Sequence, residues 1–295
     1  MVAADVPGSG LDAHPAGGKV LPTTRWLALF IIPFLVVAAV ILWFLPDQTG
    51  RLFAWPIRPP MTAMLLGTAY AGGIYFFTRV AFARQWHRVK VGFLPVATFS
   101  SLLCVATVLH WDRFTHGHVS FWTWVLLYFV APPLVVAAWW SNRRQDPGRR
   151  ERDDPAIPRP LRGLTGALGI VVGVVALLLM VAPGLLIPDW PWKLTPLTSR
   201  VVGAILAMQA VAFVGIAMDE RWSVARVMFE AELATVPLIA IATVRARGDF
   251  QLAGWSSFSA FVGGLGLLWI LMLSLFWFMH KRSAPLAVAS NARRE

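Results

Sequence analysis

Eight apolar stretches, each close to the ~20 residues that cross the hydrocarbon of a bilayer at 1.5 Å per helical residue, dominate this chain. They run approximately over Trp26–Leu45, Met61–Phe82, Val91–His110, Phe121–Trp140, Leu164–Ile187, Val201–Met218, Val227–Val244 and Phe258–His280. Backbone groups in lipid must find partners within their own segment, and these stretches lack the alternation of barrel strands. The expected fold is therefore all-α: a polytopic transmembrane bundle of about eight helices. The first stretch is too long for a typical signal-peptide core, and Phe44-Leu45-Pro46-Asp47 lacks a small-residue cleavage site, so it reads as an anchor.

Composition agrees. Apolar residues make up 57% of the chain and charged residues only 14%, where a soluble globule has about 45–50% and about 25%. The net charge of +11 does not point to nucleic acid, because the basic residues sit in short segments between apolar spans. Cys104, the sole cysteine, lies inside a span and excludes both an internal disulfide and a thiolate metal cluster.

Every second loop is basic. Arg84, Arg88 and Lys90 follow span 2, a run from Arg143 to Arg162 follows span 4, and Lys281, Arg282, Arg293 and Arg294 follow span 8. The other loops are poorer in Lys and Arg. The positive-inside rule then puts both termini in the cytoplasm, and the composition suits a bacterial plasma membrane.

The chain also repeats itself at a period of about 136 residues. Trp86 falls on Trp222, Lys90 on Arg226, Phe93 on Phe229, and Ala106-Thr107-Val108 on Ala242-Thr243-Val244. Arg25 and Pro46 match Arg162 and Pro183 one residue out of step. Four spans per unit insert both units in the same sense, giving a parallel repeat. The expected organisation is a disordered tail over 1–24, a four-helix repeat over 25–141, a mobile basic linker over 142–162, a second repeat over 163–282 and a tail over 283–295.

Between spans 1 and 2 stands Trp55-Pro56-Ile57-Arg58-Pro59-Pro60-Met61-Thr62, and between spans 5 and 6 Trp190-Pro191-Trp192-Lys193-Leu194-Thr195-Pro196-Leu197-Thr198. This W-P…P-x-T segment resembles one in bacterial multipass membrane proteins without an assigned activity, and it implies no functional residues. The prolines forbid helix continuation, and Thr62 or Thr198 suits an N-cap. Two readings stay open: an interfacial turn, or a short re-entrant element beside a central cavity.

Few residues inside the spans carry chemistry. Glu230 and Glu232 fall about one turn inside span 7, and ionisable groups there are costly enough to mark function by default. Arg79 is expected at similar depth, so an Arg79–Glu230 or Arg79–Glu232 ion pair is the favoured reading, with a proton or substrate site and plain hydration as alternatives. His110, Asp112, His116 and His118 have metal-binding side chains without a recognised spacing. Pro132-Pro133 in span 4 and Gly263-Gly264 in span 8 are candidate helix breaks. Gly163-x-x-x-Ala167 and Gly169-x-x-x-Gly173 suit close helix approach, and most tryptophans, at span ends, suit an interfacial belt.

No phosphate loop, dinucleotide fingerprint, H-E-x-x-H or G-x-S-x-G is present, and no cofactor is expected. Two functions follow from different features. The duplication, helix-breaking pairs and buried carboxylates favour transport of a small molecule or ion between the repeats. The scarcity of polar groups in the spans favours a structural or assembly protein with a protein partner or a second copy. A lipid-modifying enzyme is the least supported reading.

Overall fold

The computed structural model describes residues 18–146, 148–151, 154–250 and 255–291. Eight long helices carry the fold: α1 (Pro22–Phe44), α2 (Pro60–Phe82), α3 (Phe93–Leu109), α4 (Val119–Asn142), α5 (Arg159–Val181), α6 (Pro196–Met218), α7 (Trp222–Arg245) and α8 (Trp255–Asn291). Pro22, Pro60, Pro160 and Pro196 stand in the first turns of α1, α2, α5 and α6. There the missing N–H is no loss and the fixed φ is already helical. Among the described residues the non-helical pairing is two isolated antiparallel bridges, Ala156–Arg221 and Trp192–Phe250.

The molecule is a polytopic helical bundle. Seven of these helices are long and apolar enough to cross a membrane. The other, α2, is as long at 23 residues but carries Thr62, Gly67, Thr68, Gly72, Gly73, Tyr75 and Arg79. It packs along α1, and further faces meet α7 and α6, so about half its residues are buried. A helix wrapped by other helices needs no continuous lipid-compatible surface. By contrast α1, α4, α5 and α8 expose Phe30, Val37, Leu126, Phe129, Ile170, Val171, Ile270 and Leu271.

The halves interleave. α1 packs with α2, and α5 with α6; α3 packs with α4, and α7 with α8. Yet the backbone of α3 runs beside α6, and that of α7 beside α2. The spans 25–141 and 163–282 are therefore not two self-contained four-helix bodies. Each lends its second hairpin to the other.

Contacts recur in the two halves at offsets of 136 or 137. Trp86 packs on Phe93 with ring centroids 4.8 Å apart, and Trp222 on Phe229 at 5.2 Å. Thr107 Oγ1 donates to the Leu103 carbonyl at 2.7 Å, and Thr243 Oγ1 to that of Ile239 at 2.8 Å. Gly67 lies against Leu42 and Trp43, and Gly203 against Leu179 and Met180, where a Cβ would come within 3.1 Å of each pair. A related pair is less regular: Arg25 donates to the Ala83 carbonyl at 2.7 Å, and Arg162, 137 positions on, to that of Ala217 at 3.0 Å, 134 positions on.

The outer-loop alignment differs from the one that Trp-Pro identity suggests. Trp55 packs on Phe114 at 5.0 Å and Phe53 at 5.2 Å, while Trp192 packs on Phe250 at 5.7 Å and Trp190 at 5.5 Å. The counterpart of Trp55 is thus Trp192, and Trp190 takes the place of Phe53, because the site is defined by which ring reaches the phenylalanine. Both Trp55 and Trp192 are buried. So are Trp86 and Trp222, which therefore do not belong to an interfacial belt, whereas Trp26, Trp122 and Trp140 are exposed.

Several boundary expectations need correction. Gly18–Thr24 is ordered: Gly18 N–H donates to Gln145, its carbonyl accepts from Trp86, and Asn142 Oδ1 accepts from Leu21 N–H. The rest of the expected 1–24 tail lies outside the described residues. Residues 283–291 continue α8 rather than forming a tail, and 292–295 lie outside the described residues. The described residues of the 142–162 linker are docked. Asp154 accepts from the Ser223 N–H at 2.9 Å and hydroxyl at 2.6 Å, Ile157 N–H donates to Glu220, and Trp222 N–H to Pro155. Charge and proline suggested a mobile loop, but its carboxylates find fixed partners on the helix ends.

Candidate functional site

The end of the bundle bearing the 142–162 linker, here the linker face, holds a closed ion network. Arg221, whose side chain is 5% exposed, reaches Asp146 at 2.7 and 2.8 Å and Asp219 at 2.7 and 2.9 Å. Lys90 reaches the same carboxylates at 2.6 and 2.8 Å. Burial alone would raise both aspartates. Hydrogen bonds from Arg221 and Lys90 outweigh it and hold both carboxyls well below the usual carboxylate range. The two carboxylates in turn push Arg221 further up. Two cations meet two anions, and the network joins both halves to the linker. Beside it, burial lowers His87, so its 3.9 Å approach to Glu151 is not an ion pair at neutral pH.

Within the bundle the polar groups gather on α7 and the helices around it. The helix starts at Trp222, five residues before the apolar stretch suggested, so Glu230 lies roughly 12 Å and Glu232 roughly 15 Å along its axis at 1.5 Å per residue. Glu232 is thus nearly three turns inside its helix rather than one.

The two carboxylates have different surroundings. Glu230 lies 3.4 Å from Arg79, accepts from Arg226 Nε at 2.8 Å one turn back on its own helix, and accepts from the Tyr75 hydroxyl at 2.5 Å. Arg79 and Arg226 are nearly half exposed and connect this cluster to a cleft of about 220 Å³ at the linker face, walled by Arg88, Glu151 and Asp154. Arg79 pairs with Glu230 and not with Glu232. Glu232 accepts from the Gln209 side-chain amide on α6, and no lysine, arginine or histidine lies within 4.0 Å of it among the described residues. It borders a cavity of about 80 Å³ between α2, α3, α6 and α7, with Gln209, Thr68, Thr235, Gly72, Gly73 and Gly92. That volume admits a few water-sized species.

Sequence reasoning missed Tyr75, Arg226 and Gln209. Tyr75 stands one turn before Arg79, and Gln209 is the lone amide of span 6, so each left a signal. That α6 faces α7 at this level was not legible.

The other candidates do not converge. His110 contacts Arg200 at 2.9 Å, Asp112 pairs with Arg113 at 3.2 Å, and His116 meets Phe121 edge-on at 4.7 Å, while His118 occupies the N-cap position of α4 without a side-chain cap. No group of three or more metal-ligating side chains is present among the described residues. Burial lowers His110, and Arg200 adds to the effect. α4 runs unbroken through Pro132-Pro133, and α8 through Gly263-Gly264, whose missing side chains face open space. The prolines still deprive the Tyr128 and Phe129 carbonyls of their intrahelical donors. Gly169 and Gly173 do meet α6, at Ala210, but Gly163 meets nothing.

The W-P…P-x-T segments are turns built into the core. Thr195, not Thr198, N-caps α6, and Thr198 completes a reciprocal capping box with it. Thr62 caps nothing: its hydroxyl accepts from Trp192 Nε1 at 2.9 Å. The start of α2 is served instead from the other half, where Asp249 accepts from Met61 N–H at 2.9 Å. Pro56, Pro60, Pro191 and Pro196 lie in or beside these turns.

A larger cavity of about 400 Å³ between α1, α2, α3 and α4 is almost wholly apolar. Its Tyr70 and Tyr128 hydroxyls bond each other at 2.6 Å, and it offers no charge. The central cavity with Glu232 is the better candidate for chemistry. No family model matches this chain, and neither a curated protein nor a solved structure matches it.

Proposed function

We propose that this integral membrane protein moves a small cation, the proton included, along the seam where its halves interleave. The observation that carries the reading is Glu232: a carboxylate near mid-helix, beside a cavity, with an amide but no cation against it. At that depth it is electroneutral only while it holds a proton or a small cation, and intramembrane carboxylates of this kind mark ion pathways.

On this reading the halves are two copies of one four-helix unit inserted in the same sense, as the contacts at offsets of 136 and 137 support. Both termini and the linker face the cytoplasm of a bacterial plasma membrane. The basic residues of the linker face support that orientation.

The test uses the lone cysteine. With Cys104→Ser as background, Gln209→Cys is labelled by a membrane-impermeant thiol reagent from each side, and cation flux is followed in proteoliposomes. Transport predicts labelling from both sides at different rates, and flux that Glu232→Gln abolishes. Absence of labelling together with no flux above that of protein-free liposomes rejects transport, and flux that Glu232→Gln leaves unaltered rejects Glu232 as its carrier. It would turn the search to the structural reading, in which the protein copurifies with a fixed partner.

A further inference from the structure

The linker face carries a second feature, distinct from the closed ion network. A groove of about 770 Å³ at the end of α2 is walled by Lys19, Arg79, Arg84 and Arg88, together with Phe82, and no carboxylate stands in its wall. Arg79 shares its charge with Glu230 and Arg88 shares its charge with Glu151, each at 3.4 Å. Lys19 and Arg84 have no ion-pair partner among the described residues. The excess charge is local, since Lys90 and Arg221 nearby are balanced by Asp146 and Asp219.

The frame holding these side chains is fixed by backbone contacts. The Gly18 carbonyl accepts from Trp86 N–H at 3.0 Å, Gly18 N–H donates to Gln145 at 2.8 Å, and Arg25 holds the Ala83 carbonyl at 2.7 Å. Lys19 is thereby kept beside Arg84 across 65 positions of chain (84 − 19). On the same rim Phe82 is 77% exposed, at the end of a helix embedded in the bundle. An exposed aromatic ring at a helix end beside unbalanced cations suits the level where headgroups meet acyl chains.

We infer that this groove is a headgroup site for an anionic phospholipid. The phosphodiester lies between Lys19 and Arg84, and the acyl chains run down past Phe82. A free inorganic anion would satisfy the cations but has no use for the exposed ring. The inference stands apart from the transport reading, because Lys19 and Arg84 make no hydrogen bond or ion pair with Glu230 or Glu232.

The test is binding of fluorescent phosphatidylglycerol and phosphatidylcholine to the full chain in neutral detergent micelles, with inorganic phosphate as competitor. Each interfacial cation contributes about 1 kcal/mol, or about fivefold. Lys19→Gln/Arg84→Gln is therefore expected to weaken phosphatidylglycerol binding about 25-fold while phosphatidylcholine binding stays unchanged. Arg84→Lys, which keeps the charge, retains binding. Arg51→Gln/Arg113→Gln, which removes two exposed cations at the opposite end, leaves it as in wild type. Three results would overturn the site: equal binding of both lipids by wild type, an equal loss in the Arg51/Arg113 variant, or displacement of phosphatidylglycerol by millimolar phosphate.

Discussion

Asp146 and Glu232 carry the same functional group and are held in opposite ways. Asp146 has Arg221, Lys90 and the Gly148 N–H around it, so its charge is matched and its proton excluded. Glu232 has one amide and a cavity. The first arrangement costs desolvation that ion pairing returns, and what it contributes is a fixed junction between halves and linker. The second leaves part of the solvation unpaid by protein groups, and a mobile ion or proton can supply it. One region is built to stay as it is, and the other to exchange.

Neutralising each carboxylate at nearly constant shape tests that contrast most directly. Asp146→Asn leaves Arg221 and Lys90 facing a single anion and should lower stability by about 3 kcal/mol, read as a fall in thermal midpoint in detergent. Glu232→Gln should shift stability by less than about 1 kcal/mol, because no buried partner loses its counter-charge. If Glu232→Gln is as damaging as Asp146→Asn, the carboxylate is a structural pair and the contrast fails.

The cavity can be narrowed without touching a charge. A Cβ on Gly92 would clash with the Phe76 ring, and both residues border the central space. Phe76 is buried and has little room to swing. Gly92→Ala should therefore cost about 1–3 kcal/mol and reduce labelling of Gln209→Cys. Unchanged labelling would mean that access to Gln209 does not pass the Gly92–Phe76 end.

The smallest effect is one of pH. His87 is lowered by burial, so below the unfolded value of about 6.5 the unfolded chain takes up a proton that the folded chain resists. Stability should thus fall as pH drops from 7 towards 5, and His87→Gln should reduce that slope. Asp146 and Asp219 act in another window. Their contribution is present above the unfolded carboxylate value and is lost only as pH falls through their depressed folded values. An identical slope in His87→Gln would place the titration elsewhere.

Much of the architecture could be read from residue order. Apolar length gave the helices, and Pro60 and Pro196 fell in the turns that open α2 and α6, while Pro22, expected in a tail, opens α1. The pairing of Arg79 with a glutamate of α7 was within reach too, because a bilayer leaves a charge few places to go. The linker was misread since its charge and proline suggested a mobile loop, when Asp146 and Asp154 are anchors. The Trp55 counterpart was misread since a dipeptide identity outweighed a two-residue shift that only the ring contacts reveal.

What the sequence determined by itself is local or one-dimensional: segment length, polarity, and the scarcity of ionisable groups in the spans. These follow from the solvent each residue meets, which composition over a window reports. Tertiary structure alone decided that the halves exchange hairpins, that α2 runs inside the bundle, and that Gln209 rather than a cation meets Glu232. Those outcomes depend on which helix faces meet across the seam, and a face has no partner until the whole chain is packed.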